Sequence, residues 1–258
     1  DANMDKMIFT MLNSMKNVQN KQSNNAHEIA NVVTPGFKKS YSEQTQSLDV
    51  HIPGTFNTRA MPVTNATNVV DMNPGALMVS GRALDVYVNT SGAIAVQGPE
   101  GQELYTRRGD LRVSAKGILE TGNGHAVLGQ GGSPITIPPG FKAVINTDGA
   151  IYADNPSNVG VAKPVLIDRL MLRDAEGVNL SRRVDGLFGV EGQPNGTELP
   201  DTKALLTVNP KCLEGSNVNA LSVMVRLMDL SRSFEMNVNV IKQSKDSDES
   251  GATMMRNS

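Results

Sequence analysis

The chain has 258 residues and a formal charge of −2, with lysines, arginines and acids scattered along it, so no basic stripe recommends a nucleic-acid or anionic-membrane partner. Trp is absent and aromatic residues are 4% of the chain, which disfavours sites that stack a sugar or a cofactor on rings. One cysteine, Cys212, excludes an internal disulfide and a thiolate metal cluster, and no apolar run approaches the roughly 20 residues that span a bilayer.

Met4, Ile8, Met11, Met15 and Val18 follow one another at steps of four and three, and the series continues through Gln22 and Asn25 to Ile29. Such steps return side chains to one face of a helix, so residues 1–37 read as an assembly helix with an apolar stripe and a closing turn. Asp5, Lys6, Asn13, Ser14 and Lys16 interrupt the stripe, whereas a secretory signal needs a continuous apolar core. Thr34-Pro35-Gly36 stops the helix. The residue before proline is pushed to extended geometry, Pro35 fixes its own φ, and Gly36 can take the positive φ of a type II turn.

Residues 38–80 are rich in Asn, Thr, Ser, Gln and Pro and lack sustained periodicity, which predicts an irregular arm, mobile or ordered by something outside the chain. Residues 81–212 change to period two. Leu84, Val86 and Val88 alternate, as do Leu111 and Val113, and Ile135-Thr136-Ile137, Ala143-Val144-Ile145 and Ile151-Tyr152 are further β-favouring runs. Gly-bearing turns punctuate them at the spacing of a sandwich or barrel-like β domain.

A second assembly helix is predicted over 213–245, with Met224, Leu227, Ser231, Phe234, Val238 and Ile241 in one row and Leu221, Val225 and Met228 beside it. Ser216 and Asn217 are placed to cap its start. Each terminal helix, at about 25 residues, would be about 37 Å long. Residues 246–258 read as a flexible tail. The expected fold class is α+β: long N- and C-terminal helices packed as a coiled-coil-like pair, with a central all-β domain between them.

Signals for chemistry are sparse. His27, His51 and His125 lack metal-motif spacing, and Glu28 beside His27 lacks the second histidine of a zinc-protease helix. Gly122-Asn123-Gly124 and Gly129-Gln130-Gly131-Gly132 lead into a β run ending in Pro138-Pro139 rather than a helix, so they read as turns and not as a phosphate loop. Ser80, Ser114 and Ser133 lack a nucleophile context, and no carboxylate pair stands out. Glu103-Leu104-Tyr105-Thr106-Arg107-Arg108-Gly109-Asp110 gathers polar and aromatic groups, either as a binding site or as a strand end with its arginines solvated or paired to Asp110. The expectation is no catalytic, cofactor-binding or metal residue, and no enzyme.

Asn24, Asn25, Asn31, Thr34, Pro35, Gly36 and Phe37 at one end, with Leu213, Ser216, Asn217 and Val218 in Leu-Glu-Gly-Ser-Asn-Val-Asn at the other, carry a resemblance. The chain resembles the bacterial flagellar axial proteins, the rod and hook subunits, over nearly its whole length. Gly81-Arg82-Ala83-Leu84-Asp85-Val86, Tyr105 to Leu111 and Ser233-Phe234-Glu235-Met236 are similar to the proximal-rod branch of that family. The distal-rod branch shares the end motifs. His27-Glu28-Ile29 departs from the family's pattern, which runs from the paired asparagines through Leu to Ala-Asn.

The resemblance implies a structural subunit of the flagellar basal-body rod, in the periplasmic space, with the terminal helices and the end-motif residues as assembly candidates. The implied partners are copies of itself, other flagellar rod proteins and the flagellar type III export apparatus, without a cleaved signal, nucleic acid or direct membrane insertion. The alternative from another class is a periplasmic β-domain binding or hydrolytic protein with a helical oligomerisation stalk.

Overall fold

A computed structural model describes residues 2–41, 44–49, 60–65, 68–155, 164–200 and 206–256, and the chain divides into two compact units. His51 and most of the arm's middle lie outside the described residues, as do the side chains of Met4, Ile8 and Met11.

The first unit comprises Asp1–Ala30, Glu43–Ala66 and Asn219–Ser258. Helix α1 covers Ala2–Ala30. Strands β1 (Gln44–Asp49) and β2 (Ala60–Asn65) pair antiparallel, Gln44 opposite Asn65 and Asp49 opposite Ala60.

The second unit comprises Asn31–Ser42 and Thr67–Val218. Its strands are β3 (Leu77–Val79), β4 (Val86–Val88), β5 (Gly92–Gln97), β6 (Glu103–Thr106), β7 (Leu111–Val113) and β8 (Leu119–Thr121). After these come β9 (Lys142–Ile145), β10 (Ala150–Asp154), β11 (Val165–Arg169), β12 (Leu172–Asp174) and β13 (Leu180–Arg182). The last are β14 (Phe188–Val190), β15 (Val208–Pro210) and β16 (Cys212–Glu214). Back in the first unit, helix α2 covers Ala220–Arg256.

The main sheet has the order β12-β5-β6-β14-β13, a second has β11-β10-β9, and the pairs β15-β4, β16-β3 and β7-β8 complete the unit. Strand β5 shows why alternation in a strand need not mean a wet face. Ile94 and Val96 enter one apolar core with Val86, Leu104, Leu119 and Ile151, while Ala93 and Ala95 enter a second with Tyr105, Leu180 and Phe188. Successive side chains point to opposite faces, and here both faces are covered.

Ile135 and Ile137 are buried as expected of a strand, yet they form no ladder of their own. Leu119 N–H donates to Ile135 O at 2.8 Å and Ile137 N–H to Gly117 O at 2.7 Å, after which Pro138 and Pro139 have no N–H with which to continue.

The expected fold is corrected at its helices. The chain is α+β overall, with a large central β domain and, among the described residues, two helices, the N-terminal one the shorter at 29 residues against 37; they are not a long coiled-coil-like pair. In the anticipated C-terminal row, Met224, Ser231 and Phe234 are exposed and Leu227, Val238 and Ile241 only half-buried; among the described side chains of the helix the buried one is Val223, off the row. In α1, Met15 is half-buried, Val18 buried and Gln22 exposed, and the inward positions below are the polar Asn25 and Glu28. Spacing assigned a face to each helix, but a continuous apolar seam requires apolar residues along all of it. Glu28 accepts from Arg226 at 3.3 Å, so a charged contact stands where apolar knobs would sit.

Candidate assembly junction

The residues that follow α1 and those that precede α2 meet within the second unit. The segment after α1 turns back on itself: Thr34 N–H donates to Asn31 O at 3.1 Å, Thr34 Oγ1 to Asn31 Oδ1 at 3.2 Å, and Phe37 N–H to Thr34 O at 3.3 Å. Gly36 has φ +69°, the sign a type II turn demands at its third residue. A β-carbon at Gly36 would lie 2.3 Å from the Arg107 carbonyl oxygen, so glycine is required for closeness as well as for φ. Its N–H donates to Glu214 O at 2.8 Å.

Asn217 completes the closure from the other side. Its Oδ1 accepts from Lys39 N–H at 2.7 Å, its Nδ2 donates to Asp71 O at 2.8 Å and Asn73 O at 3.2 Å, and its own N–H donates to Phe37 O at 3.3 Å. Phe37 also lies under the Arg182 guanidinium, 4.3 Å from ring centre to Cζ, a cation–π contact.

Behind these bonds lies a cluster of charges whose side chains are wholly shielded from solvent. Lys38 Nζ donates to Glu214 Oε1 at 2.6 Å and to Asn73 O at 2.7 Å; Arg107 Nε donates to Glu214 Oε2 at 2.7 Å. Gly75 N–H gives Glu214 Oε1 a further bond at 2.8 Å, and Arg107 Nη1 donates to the carbonyls of Thr90, at 2.9 Å, and Gly92. One carboxylate thus ties together three distant stretches of chain. Burial alone would push its pKa up, but the Arg107 guanidinium, through hydrogen bond and charge, and the Lys38 ammonium outweigh it and hold Glu214 below its ordinary range. Burial pushes Lys38 below its ordinary range, against the pull of Glu214 and with the push of Arg107. Desolvating three charges is costly, so the cluster depends on its anion: removal of Glu214 strands Lys38 and Arg107, whereas Glu214 without Lys38 keeps Arg107 and the Gly75 N–H.

The other end-motif candidates differ in burial. Leu213 is half-buried on β16, Val218 is buried, and Ser216 Oγ accepts from Val218 N–H at 3.2 Å. Pro35 and Asn31 are half-buried in the turn; Asn24 is exposed and Asn25 buried on α1. The capping expectation moves down the chain, by three residues from Ser216 and two from Asn217. Asn219, not Ser216 or Asn217, caps α2, its Oδ1 accepting from Ser222 N–H at 3.1 Å, because Asn217 is engaged with the Lys39 and Asp71 backbone.

Sequence reasoning missed Lys38, Asp71, Asn73 and Gly75, quoted Glu214 within its motif without making it a candidate, and considered Arg107 only as solvated or paired to Asp110. Arg108 makes that pair, with bonds of 2.6 and 2.9 Å to the two Asp110 oxygens. The available signal was a lysine directly after the N-terminal motif and a glutamate inside the C-terminal one.

Helix α2 carries the opposite kind of surface. Leu221 is 73% exposed, Met228 61% and Met236 62%, with Met224, Val225, Phe234 and Val240 also exposed. A folded chain rarely leaves so many large apolar side chains on one helix without a molecule to cover them. Among the described residues no group of His, Cys, Asp or Glu is placed to hold a metal ion, and no helix is long and apolar enough to cross a membrane.

Known proteins are similar to this chain in sequence. Residues 87–153 match the family described as flagellar hook protein FlgE/F/G D1 domain, and residues 210–254 the family described as flagellar basal body rod FlgEFG protein C-terminal. The chain is 36% identical to flagellar basal-body rod protein FlgF of Escherichia coli (strain K12), over 94% of this chain and 95% of that one. It is 36% identical to the FlgF protein of Salmonella typhimurium, covering 92% and 93% of the two chains. Flagellar basal-body rod protein FlgG of Bacillus subtilis (strain 168) is 26% identical over 93% of this chain and 96% of its own length. With a likeness of that depth running through the β unit, the closing segment and α2, the chain belongs to the flagellar basal-body rod protein family.

Proposed function

We propose that the chain is a structural subunit of the proximal part of the flagellar rod, joining copies of itself and other rod proteins through its terminal helices to transmit torque. The observation that carries this reading is the exposed apolar surface of α2, from Leu221 to Val240, on a chain whose own charged junction is already closed. Burial of one such side chain contributes about 1.5–3 kcal/mol, so several on one helix supply a strong drive to associate. Heterologous contacts of this kind, which do not close on themselves, build a helical shaft.

In this reading the protein has no catalytic role, works in the periplasmic space, and reaches it through the flagellar export apparatus without cleavage. The proximal assignment is supported by the higher identity, 36%, to the FlgF proteins of Escherichia coli and Salmonella typhimurium than to the FlgG protein of Bacillus subtilis, at 26%.

The test is a deletion strain complemented with Leu221→Glu plus Met228→Glu, with basal bodies viewed by electron microscopy. The expected result is rods that stop near the inner membrane while the purified variant keeps its thermal unfolding midpoint. Full-length rods containing that variant would contradict the reading.

A further inference from the structure

Four Asx-Gly pairs occur in the chain: Asn123-Gly124, Asp148-Gly149, Asp185-Gly186 and Asn195-Gly196. Such pairs are chemically weak because the glycine nitrogen, unhindered by a side chain, can reach the carbonyl carbon of the preceding side chain, an attack whose rate depends on geometry. In three of the four the glycine N–H is engaged in a turn: Gly124 donates to Thr121 O at 2.8 Å, Gly149 to Asn146 O at 3.0 Å, and Gly186 to Arg183 O at 3.1 Å. The fourth is built differently. There the turn closes one residue later, from Thr197 N–H to Pro194 O at 3.2 Å, and Gly196 N–H makes no hydrogen bond among the described residues.

The two asparagines are otherwise alike. Each is exposed and each offers its Oδ1 to an arginine that also holds the aspartate two positions on: Arg108 for Asn123, at 2.6 Å, and Arg183 for Asn195. A guanidinium on the amide oxygen draws electron density from Cγ and would stabilise an oxyanion formed there. Because both sites share that contact, the nucleophile distinguishes them.

We propose that Asn195 is the chain's principal site of spontaneous deamidation, and that the Gly124 hydrogen bond protects Asn123. Gly196 N loses its proton and bonds to Asn195 Cγ; the Cγ–Nδ2 bond breaks and the nitrogen leaves as ammonia, taking up that proton. Water then opens the cyclic imide at either carbonyl to give aspartate or isoaspartate. The isoaspartyl form adds a carbon to the backbone of the segment that carries Leu199, whose N–H donates to the buried Tyr105 hydroxyl at 2.7 Å and whose side chain enters the second core.

The test is peptide mapping of the full chain aged at mildly alkaline pH, native and in urea, with the one-dalton gain and the isoaspartate located by fragmentation. In urea the two asparagines should convert at similar rates. In the native protein Asn195 should lead Asn123 by about fivefold or more, the factor set by the net worth of one backbone hydrogen bond. Equal native rates, or conversion led by Asn123, would overturn the proposal. In Asn195→Ser the leading product should vanish, and its persistence would count equally against it.

Discussion

The junction and the outer surface of α2 reverse the usual distribution of side chains. Lys38, Arg107 and Glu214 are charged and wholly buried, whereas Leu221, Met228 and Met236 are apolar and mostly exposed. Charges buried at high cost specify one geometry, because only one arrangement satisfies them; apolar side chains left outside specify little by themselves and await a partner. The first region therefore fixes the chain to itself, and the second fits a role in joining it to others.

The sharpest way to break this contrast is at its central carboxylate. Glu214→Ala should destabilise the β unit by about 3–5 kcal/mol, since it leaves Lys38 and Arg107 buried without their anion, and denaturant unfolding would read the loss. Gly36→Ala should follow at about 2–3 kcal/mol, with a β-carbon driven into the Arg107 carbonyl and φ +69° forced on a side chain. Acid should act on the same carboxylate. Its folded pKa is held down, so the stability it contributes is fully present above the ordinary value of 4.5 and is lost as pH falls through the depressed folded value. Lys38 works with the same sign at the other end of the scale: its lowered pKa makes stability rise as pH climbs towards the ordinary 10.5. Unfolding midpoints across pH should show a larger acid loss in the wild type than in Glu214→Gln.

Lys38→Met sharpens the contrast from within. The ammonium is disfavoured by burial and Glu214 retains Arg107 and the Gly75 N–H, so a loss of only about 1 kcal/mol is expected, well below that of Glu214→Ala. The smallest effect belongs to Asn219→Ala, which removes the α2 cap and should cost about 0.5–1 kcal/mol, visible as fraying of the first turn by hydrogen exchange.

Local patterns made much of this legible. The period-two runs at Leu111–Val113, Ala143–Ile145 and Ile151–Tyr152 lie in strands, as does the run at Leu84, Val86 and Val88 beyond Leu84, while Ile135-Thr136-Ile137 lies outside them; Pro35-Gly36 announced the turn from its own stereochemistry. Pairing across long distances was not legible. Lys38 meets Glu214 from 176 residues away, and nothing near either residue states that the other will be its partner. The row drawn through Met224 and Phe234 failed for a related reason: helical spacing defines faces, but which face is covered depends on the neighbour, and Glu28 with Arg226 settles that contact by charge. The double role of Arg107 and Arg108 shows the same limit, since adjacent arginines with one nearby aspartate look equivalent until a strand end sends one inward.

The central claim is that the exposed face of α2 is covered only when the subunit is in the rod. The most direct measurement is maleimide labelling of Met228→Cys, in a Cys212→Ser background, on free protein and on isolated basal bodies. The account predicts rapid labelling of the free chain and strong protection in the rod; equal labelling in both would contradict it.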